Sequence, residues 1–541
     1  MTKMSGVRSS LQQLSKASWE PYPTRRWRII GGIVIALFTA LWFFPQILIQ
    51  NDFRTDDFYL FAVLGESGLV WPWESGQYLN FMGFRLVSMI LFLGQLQLFG
   101  TMALGYYVVG LLFHILAVLL FYALLLTTME HFVGQTHVHI AVFTTLVLSV
   151  HADAFYNVLW ISNQTETLAL LLCMLYLLLM LRYLASGMLV HALSGMLILF
   201  IGFFVKFSIV VLPFLFTVMA VVYWRSARTS VRRSMLVLVA VAGVLLSFAF
   251  VGFWFAFDRY DEVLSFAILP TKLFSTVAIM MIALHPWVAE MLYPFMYEQR
   301  IVALLLGALG ALLLFLLLRK LSREHRTSIL IALVLLLIAV LPRAVHQIAP
   351  RINTLQIAVL LLLLSIGFTM YRPRLTSWVM GLLLLSHLAG SLVIIPRWRG
   401  ETANVRYVRL LHEETEMATK AGMLLVHQTI FDQYAIHFYR TGRFGKDTLL
   451  QVSPVRLLRK YGVRSRKEYD IRRDDKTIEL VATDIRTGFM ADTTVARPPW
   501  LDVTFSEPLR DYGYRRARLD IAAAPKGLRL LVERGFAYEG I

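Results

Sequence analysis

Long runs of apolar residues, separated by short polar segments, fill the first three quarters of this chain. Most runs approach the roughly 20 residues that an α-helix needs to cross about 30 Å of hydrocarbon. The pattern predicts an α-helical polytopic membrane protein with about eleven transmembrane helices. A further apolar segment, 264–284, is predicted to lie in or re-enter the bilayer without crossing it. The predicted spans are 27–50, 102–127, 138–152, 161–183, 188–205, 207–224, 234–257, 301–318, 327–342, 354–370 and 376–396.

The overall composition agrees with a lipid bilayer as the main partner. The 541 residues are 58% hydrophobic and only 16% charged, which excludes an ordinary soluble protein. The formal net charge of +17 would suit nucleic acid, but much of it lies in short loops that flank apolar runs, where it sets topology. Nucleic acid is therefore not an expected partner. The single cysteine, Cys173, excludes an intramolecular disulfide.

The distribution of basic residues predicts the topology. The N-terminal segment 1–26 is basic and is expected in the cytoplasm of a cell whose inner (plasma) membrane holds the protein. Three further basic clusters, at 225–233, 319–326 and 372–374, fall on the same side if 264–284 does not cross. Eleven crossings from a cytoplasmic start place the C-terminus on the external face.

Charged residues become frequent near residue 400, where the apolar runs shorten to the length of strands. We therefore divide the chain into a cytoplasmic segment 1–26, a membrane domain 27–396 with an external loop 51–100, and a small external α/β domain 397–541. In this last part the pattern predicts buried strands at 422–427 and 477–482, a helix at 431–439 and a last strand at 528–532.

An acidic pair, Asp56–Asp57, follows the first span by a few residues and would lie close to the membrane surface. Carboxylates at that depth are costly unless they are paired or used. One of them could serve as a general base that is tuned by its neighbour. The alternatives are a pair of oxygen ligands for a divalent cation, or a helix cap in which Thr55 and Asp56 precede an apolar turn.

Several basic residues are candidates for binding a lipid phosphate. Arg85 lies in an apolar stretch, 78–99, that is predicted to rest in the membrane interface. Arg351 is expected at the external end of a span, and Lys206 lies in an otherwise apolar stretch, where it needs a partner. Such residues are more often snorkelling end residues than ligands. His151 and Asp153 follow in the next external loop and form either an acid/base pair or only a turn.

Taken in chain order, these segments resemble glycosyltransferases of the polytopic GT-C superfamily, of the protein O-mannosyltransferase-like kind. The resemblance covers about 27–396 and depends on the order of weak motifs. The matching segments are Asp56-Asp57, Gly83-Phe84-Arg85-Leu86 leading to Phe99-Gly100, Tyr106 to His114, His151 to Trp160-Ile161-Ser162, Lys206-Phe207-Ser208 leading to Pro213, and Ala349 to Asn353 around Arg351.

The resemblance implies an enzyme that moves a sugar from a polyprenyl-monophosphate donor to a hydroxyl of a glycan, lipid or protein acceptor, with inversion. Asp56 would be the first choice for the general base, with Asp57 assisting or replacing it. The substrate-binding residues would be Arg85, His151, Asp153, Lys206 and Arg351. No cofactor is implied, and a divalent cation at the acidic pair is the open alternative.

Three other functions compete with this hypothesis. A transporter or flippase of lipid-linked sugars would also place charges at the ends of spans, but it predicts a repeat between two halves, and none is visible. A polysaccharide polymerase or ligase would carry its large functional loop among the later spans. A structural membrane scaffold leaves Lys206 and the acidic pair unexplained.

Overall fold

A computed structural model of the chain describes residues 22–49, 52–53, 55–67, 85–132, 134–223, 230–257, 354–371, 374–392, 423–426, 438, 442–444, 455–459, 469–474, 476–482, 487–491, 502–509, 513–523, 529–534 and 537–540. The predicted spans 301–318 and 327–342, the segment 264–284 and Arg351 lie outside these ranges. The helices are α1 (Tyr22–Ile49), α2 (Thr55–Ser67), α3 (Leu86–Phe99), α4 (Ala103–Phe132), α5 (Val138–Ser149), α6 (Ala152–Val158), α7 (Gln164–Ser186), α8 (Leu189–Phe203), α9 (Leu212–Tyr223), α10 (Ser230–Phe257), α11 (Thr354–Tyr371) and α12 (Arg374–Leu392).

The helical part is a multi-pass bundle. Five of the described helices are long and apolar enough to cross a membrane: Arg25–Ile49, Ala103–Glu130, Ile161–Ser186, Arg232–Gly252 and Arg374–Leu392. The remaining described spans form shorter apolar helices; α5 has only 12 residues. The prediction of a polytopic membrane protein is thereby confirmed, whereas the count of eleven spans stays a prediction.

Helix α1 shows how the apolar pattern is divided between protein and lipid. Residues at every fourth position face the bundle and are buried, while the opposite stripe is exposed, as expected for a helix with lipid on one side. The buried stripe is Gly31, Ile35, Thr39, Phe43 and Ile47, and the exposed stripe is Ile33, Leu37, Leu41, Phe44 and Leu48. The exposed stripe is the surface that a bilayer would cover.

Helix α7 is the centre of the described bundle. It packs against α4 and α8 over much of its length and also contacts α6, α9 and α11, while α1 packs on α4 and α5. The main apolar core runs between these helices. A second, smaller core lies at the end of the bundle where α2, α3 and α6 meet.

The described residues after 423 form two sheets. In the first, β1 (Met423–Val426) pairs in parallel with β8 (Arg529–Arg534), which pairs antiparallel with β9 (Ala537–Gly540). The second has the order β2-β5-β7-β4-β3, with β6 also paired to β7, and all its pairings are antiparallel. Its strands are β2 (Val455–Arg459), β3 (Tyr469–Arg473), β4 (Thr477–Ala482), β5 (Thr487–Ala491), β6 (Asp502–Leu509) and β7 (Gly513–Asp520).

These strands confirm part of the sequence prediction and correct one detail. Strands lie where 422–427 and 477–482 were predicted, and β8 overlaps 528–532. That strand is not the last one, because β9 follows it and completes an antiparallel hairpin. Of the predicted helix 431–439 the structure describes only Phe438, so the helical share of this α/β domain stays a prediction.

Candidate functional site

The acidic pair lies at the start of α2. The side chain of Asp57 is fully buried, and its Oδ1 accepts a 2.7 Å hydrogen bond from the backbone N–H of Ser162. Ser162 belongs to a single 3-10 turn, Ile161–Asn163, that leads directly into α7. Asp56 is the preceding residue of α2, and its side chain lies outside the described part of the chain. Asp57 therefore fastens the acid-bearing helix to the start of α7.

Lys206 forms a buried ion pair with Glu166. Lys206 lies in the break between α8 and a 3-10 turn, Phe207–Val211, and Glu166 lies in the first turn of α7. A carboxylate is favoured in the first turn of a helix because it faces unpaired backbone N–H groups. The sequence predicted that Lys206 needs a partner, and that partner is Glu166 of the same bundle.

The start of α3 is joined to the same break. The backbone N–H of Val87 donates to the carbonyl of Phe204 over 3.1 Å, and the Ser88 hydroxyl donates to the carbonyl of Val205 over 3.3 Å. Arg85 is half-buried immediately before this contact. Arg85 and Lys206 thus belong to two segments that are hydrogen-bonded to each other.

Neutral polar side chains complete the cluster. The side-chain amide of Gln95 in α3 donates to the side-chain oxygen Oε1 of Gln164 over 3.0 Å. The side-chain amide of Gln164 in turn donates to the backbone carbonyl of Tyr106 in α4 over 2.6 Å. Asn163 donates to the side-chain oxygen of Asn157 over 2.6 Å. Because these groups are removed from water, each bond fixes the neighbouring elements in one arrangement.

The opposite end of α7 carries positive charge. Arg232 donates hydrogen bonds of 2.5 and 3.2 Å to the carbonyls of Leu184 and Ala185, which end α7. A cation is favoured there by the helix dipole. Since α7 has 23 residues, it is about 35 Å long. The Asp57–Glu166–Lys206 region and Arg232 therefore lie about a membrane thickness apart.

His151 is placed at the end of α5, beside a second polar group. Its buried ring lies 4.7 Å from the buried ring of His387 in α12, measured between centroids. The His151 carbonyl accepts the N–H of Ala154 over 2.8 Å at the start of α6. Asp153 follows in α6, and its side chain lies outside the described part. The observed contact of His151 thus joins it to α12.

The sequence analysis missed several of these residues. Glu166, Gln164, Gln95 and Asn157 are all buried and polar, yet none was a candidate. Glu166 could have been found, because it is an acid in an apolar span whose start lies on the same predicted side of the membrane as Lys206.

No metal cluster was expected from Cys and His spacing. Within the described ranges, no group of three or more His, Cys, Asp or Glu side chains is placed to hold a metal ion. Asp57 Oδ1 accepts the Ser162 N–H, so a cation at the acidic pair would be held by Asp56, by Asp57 Oδ2 and by the second lone pair of Oδ1.

The arrangement brings an acid-bearing helix and two cationic segments to one end of α7. Chemically, such a region can accept a proton at a carboxylate and oppose a phosphate with positive charge. Comparison with known proteins adds no second line of support, since no protein-family model and no curated protein sequence matches the chain.

Proposed function

We propose that the chain is a membrane glycosyltransferase that moves a sugar from a polyprenyl-monophosphate donor to an acceptor hydroxyl on the external face. The observation that carries the proposal is the hydrogen bond between Asp57 and Ser162, because it fastens the acidic pair to the same helix end that holds the Glu166–Lys206 ion pair. The placement of Arg232 at the other end of α7 supports an external site, since basic clusters mark the cytoplasmic side.

The reaction balances with the residues in this region. A carboxylate of the acidic pair takes the proton of the acceptor hydroxyl, and the acceptor oxygen attacks the anomeric carbon. The bond from that carbon to the phosphate oxygen breaks, and its electron pair leaves with the polyprenyl phosphate. Attack from the face opposite the phosphate inverts the anomeric centre.

The structure suggests different roles for the two acids. Asp57 is buried and accepts a hydrogen bond from the backbone N–H of Ser162, which suits a residue that positions α2. Asp56 is then the better choice for the base, as the sequence analysis expected. Arg85 and Lys206 would oppose the charge that grows on the departing phosphate, with Lys206 already partly neutralised by Glu166. Arg351, His151 and Asp153 remain proposed substrate-binding residues.

Sugar transfer by membranes that contain the protein tests the proposal. Radiolabelled polyprenyl-phosphate sugars are supplied as a panel of donors to wild type, Asp56→Asn and Asp57→Asn, with Asp52→Asn as the matched control. We expect labelled product from wild type and Asp52→Asn and its loss in Asp56→Asn at equal protein level. Equal transfer by all variants would refute the base assignment, and movement of the donor across the bilayer without transfer would favour a transporter.

A further inference from the structure

Two aromatic side chains from the C-terminal part of the chain lie against the acid-bearing segment. We call Phe53, Phe58 and Phe61 the aromatic seat, and all three are buried. The ring of Phe438 lies 5.4 Å from Phe53 and 5.2 Å from Phe58, and the ring of Phe444 lies 5.1 Å from both Phe53 and Phe61, between centroids. Phe438 and Phe444 therefore contact the second core of the bundle directly.

A glycine turn holds these two rings together. The N–H of Gly442 donates to the carbonyl of Phe438 over 2.7 Å, and Gly442 has a φ of +68°, a left-handed conformation that glycine adopts without strain. The turn brings Phe444 back onto Phe438, so that the rings stack 4.9 Å apart with 29° between their planes. Gly442 and Arg443 are exposed on the other side of the turn.

The seat brackets the acidic pair in sequence. Phe53 lies three residues before Asp56, and Phe58 directly follows Asp57. Edge-to-face and tilted ring pairs are favourable beyond the area that they bury. Four such contacts join Phe438 and Phe444 to the seat, so a shift of the turn must disturb the start of α2.

We infer that Phe438 and Phe444 are positioning residues that hold the acid-bearing start of α2, and that their turn forms the acceptor side of the site. The catalytic half of this inference rests on the proposed function. A polyprenyl donor arrives through the bilayer, whereas a glycan or protein acceptor would arrive from the aqueous side, with the C-terminal part of the chain, whose Phe438 and Phe444 contact the start of α2. A change in the turn should therefore alter turnover and acceptor use more than donor use.

Docking of the turn is tested without any assay of activity. A benzophenone amino acid replaces Phe444 in the full chain, and membranes are irradiated and digested for mass spectrometry. We expect cross-links to residues 52–61. The control carries the same probe at Phe505, whose ring stacks on Tyr514 within the second sheet, 5.3 Å away. Absence of cross-links from position 444 to 52–61 would overturn the inference.

Positioning is tested by transfer kinetics. We expect Phe438→Ala and Phe444→Ala to lower kcat about 10- to 100-fold, because small displacements of a base are costly, with little change in the donor KM. Phe444→Leu should recover part of the loss because it refills the seat, and Phe505→Ala should behave as wild type. Unchanged kcat and acceptor KM in both alanine variants would overturn the positioning role even if the cross-link forms. If wild type transfers no sugar, the proposed function fails and the positioning role fails with it, while the cross-link decides docking independently.

Discussion

Lys206 and Glu166 form an ion pair that is almost completely buried, between the break after α8 and the first turn of α7. The two residues are far apart in the sequence, so the ion pair depends on the packing of α8 against α7. It brings a full positive charge into an apolar region without leaving the bundle with a net charge there.

Removing one partner of this pair should be more harmful than removing both. We expect Glu166→Leu alone or Lys206→Met alone to lower the free energy of unfolding by about 3–5 kcal/mol, because each leaves the other charge buried without this partner. The double variant Glu166→Leu with Lys206→Met should lie within about 1 kcal/mol of wild type. Unfolding in detergent with a double-mutant cycle measures the coupling, and additive effects of the two changes would contradict the prediction.

The bond from Asp57 to Ser162 separates the structural from the chemical role of this acid. An asparagine retains a carbonyl oxygen that accepts the Ser162 N–H, so Asp57→Asn should fold with little loss of stability. Asp57→Ala leaves that part-buried N–H without this acceptor and should cost about 1–3 kcal/mol. Thermal unfolding of the two purified variants checks the difference. If both lose the same amount of stability, the hydrogen bond is not what holds α2 in place.

Two adjacent glycines of α1 offer a matched test of helix packing. A Cβ at Gly31 would overlap the Tyr122 hydroxyl group and lie 2.9 Å from Val142 Cγ2, whereas a Cβ at Gly32 would meet nothing closer than 3.8 Å. Both changes to alanine gain the same helix propensity. We expect Gly31→Ala to destabilise the bundle by about 1–3 kcal/mol through overpacking and Gly32→Ala to be neutral or stabilising. Equal melting temperatures would show that α1 can move away from α4 and α5 at no cost.

The hairpin between β3 and β4 should be sensitive to acid. Asp474 accepts hydrogen bonds from the backbone N–H of Lys476 and from the hydroxyl and backbone N–H of Thr477, and these bonds lower the pKa of its carboxyl below the usual 3.8. A carboxyl whose pKa is lowered by folding contributes stability above its unfolded pKa and loses it as the pH falls through its folded pKa. We therefore expect the hairpin to open more readily below about pH 4.

Hydrogen exchange of the 469–482 peptide in the full chain, corrected for intrinsic rates, measures this opening. Thr477→Val removes one of the bonds and should move the acid transition to higher pH. Asp474→Asn cannot ionise and should remove this part of the pH dependence. Exchange that depends on pH in the same way in wild type and Asp474→Asn would contradict the assignment.

The helical part could be predicted from sequence because hydrocarbon imposes a length and a composition on each span. Even the 12-residue α5 was visible as a short apolar run. The strands were harder to predict, because a strand that is exposed on one face does not contain a continuous run of apolar residues. Strand β7 instead alternates: Ala517 and Leu519 are buried, while Arg518 and Asp520 are exposed, so its sequence carries more charged residues than apolar side chains.

The candidate site was predictable only in part, for a physical reason. A single sequence shows that Lys206 in an apolar stretch needs a partner, but it does not show which of several acids packs beside it. Glu166 is separated from Lys206 by a whole helical hairpin, α7 and α8, and only the antiparallel packing of these helices brings the two charges together. Phe438 and Phe53 are still further apart in the sequence, and no periodic pattern predicts their contact.

That contact also bears on whether the number of membrane crossings is odd or even. Phe53 follows the end of α1 by four residues, so it lies on the side of the membrane that the chain reaches after its first crossing. Phe438 touches Phe53 and must lie on that same side. We therefore expect an even number of crossings between the two residues, and an odd number when the crossing by α1 is included. A total of eleven obeys this rule, and a total of twelve would put the two rings on opposite faces of the bilayer.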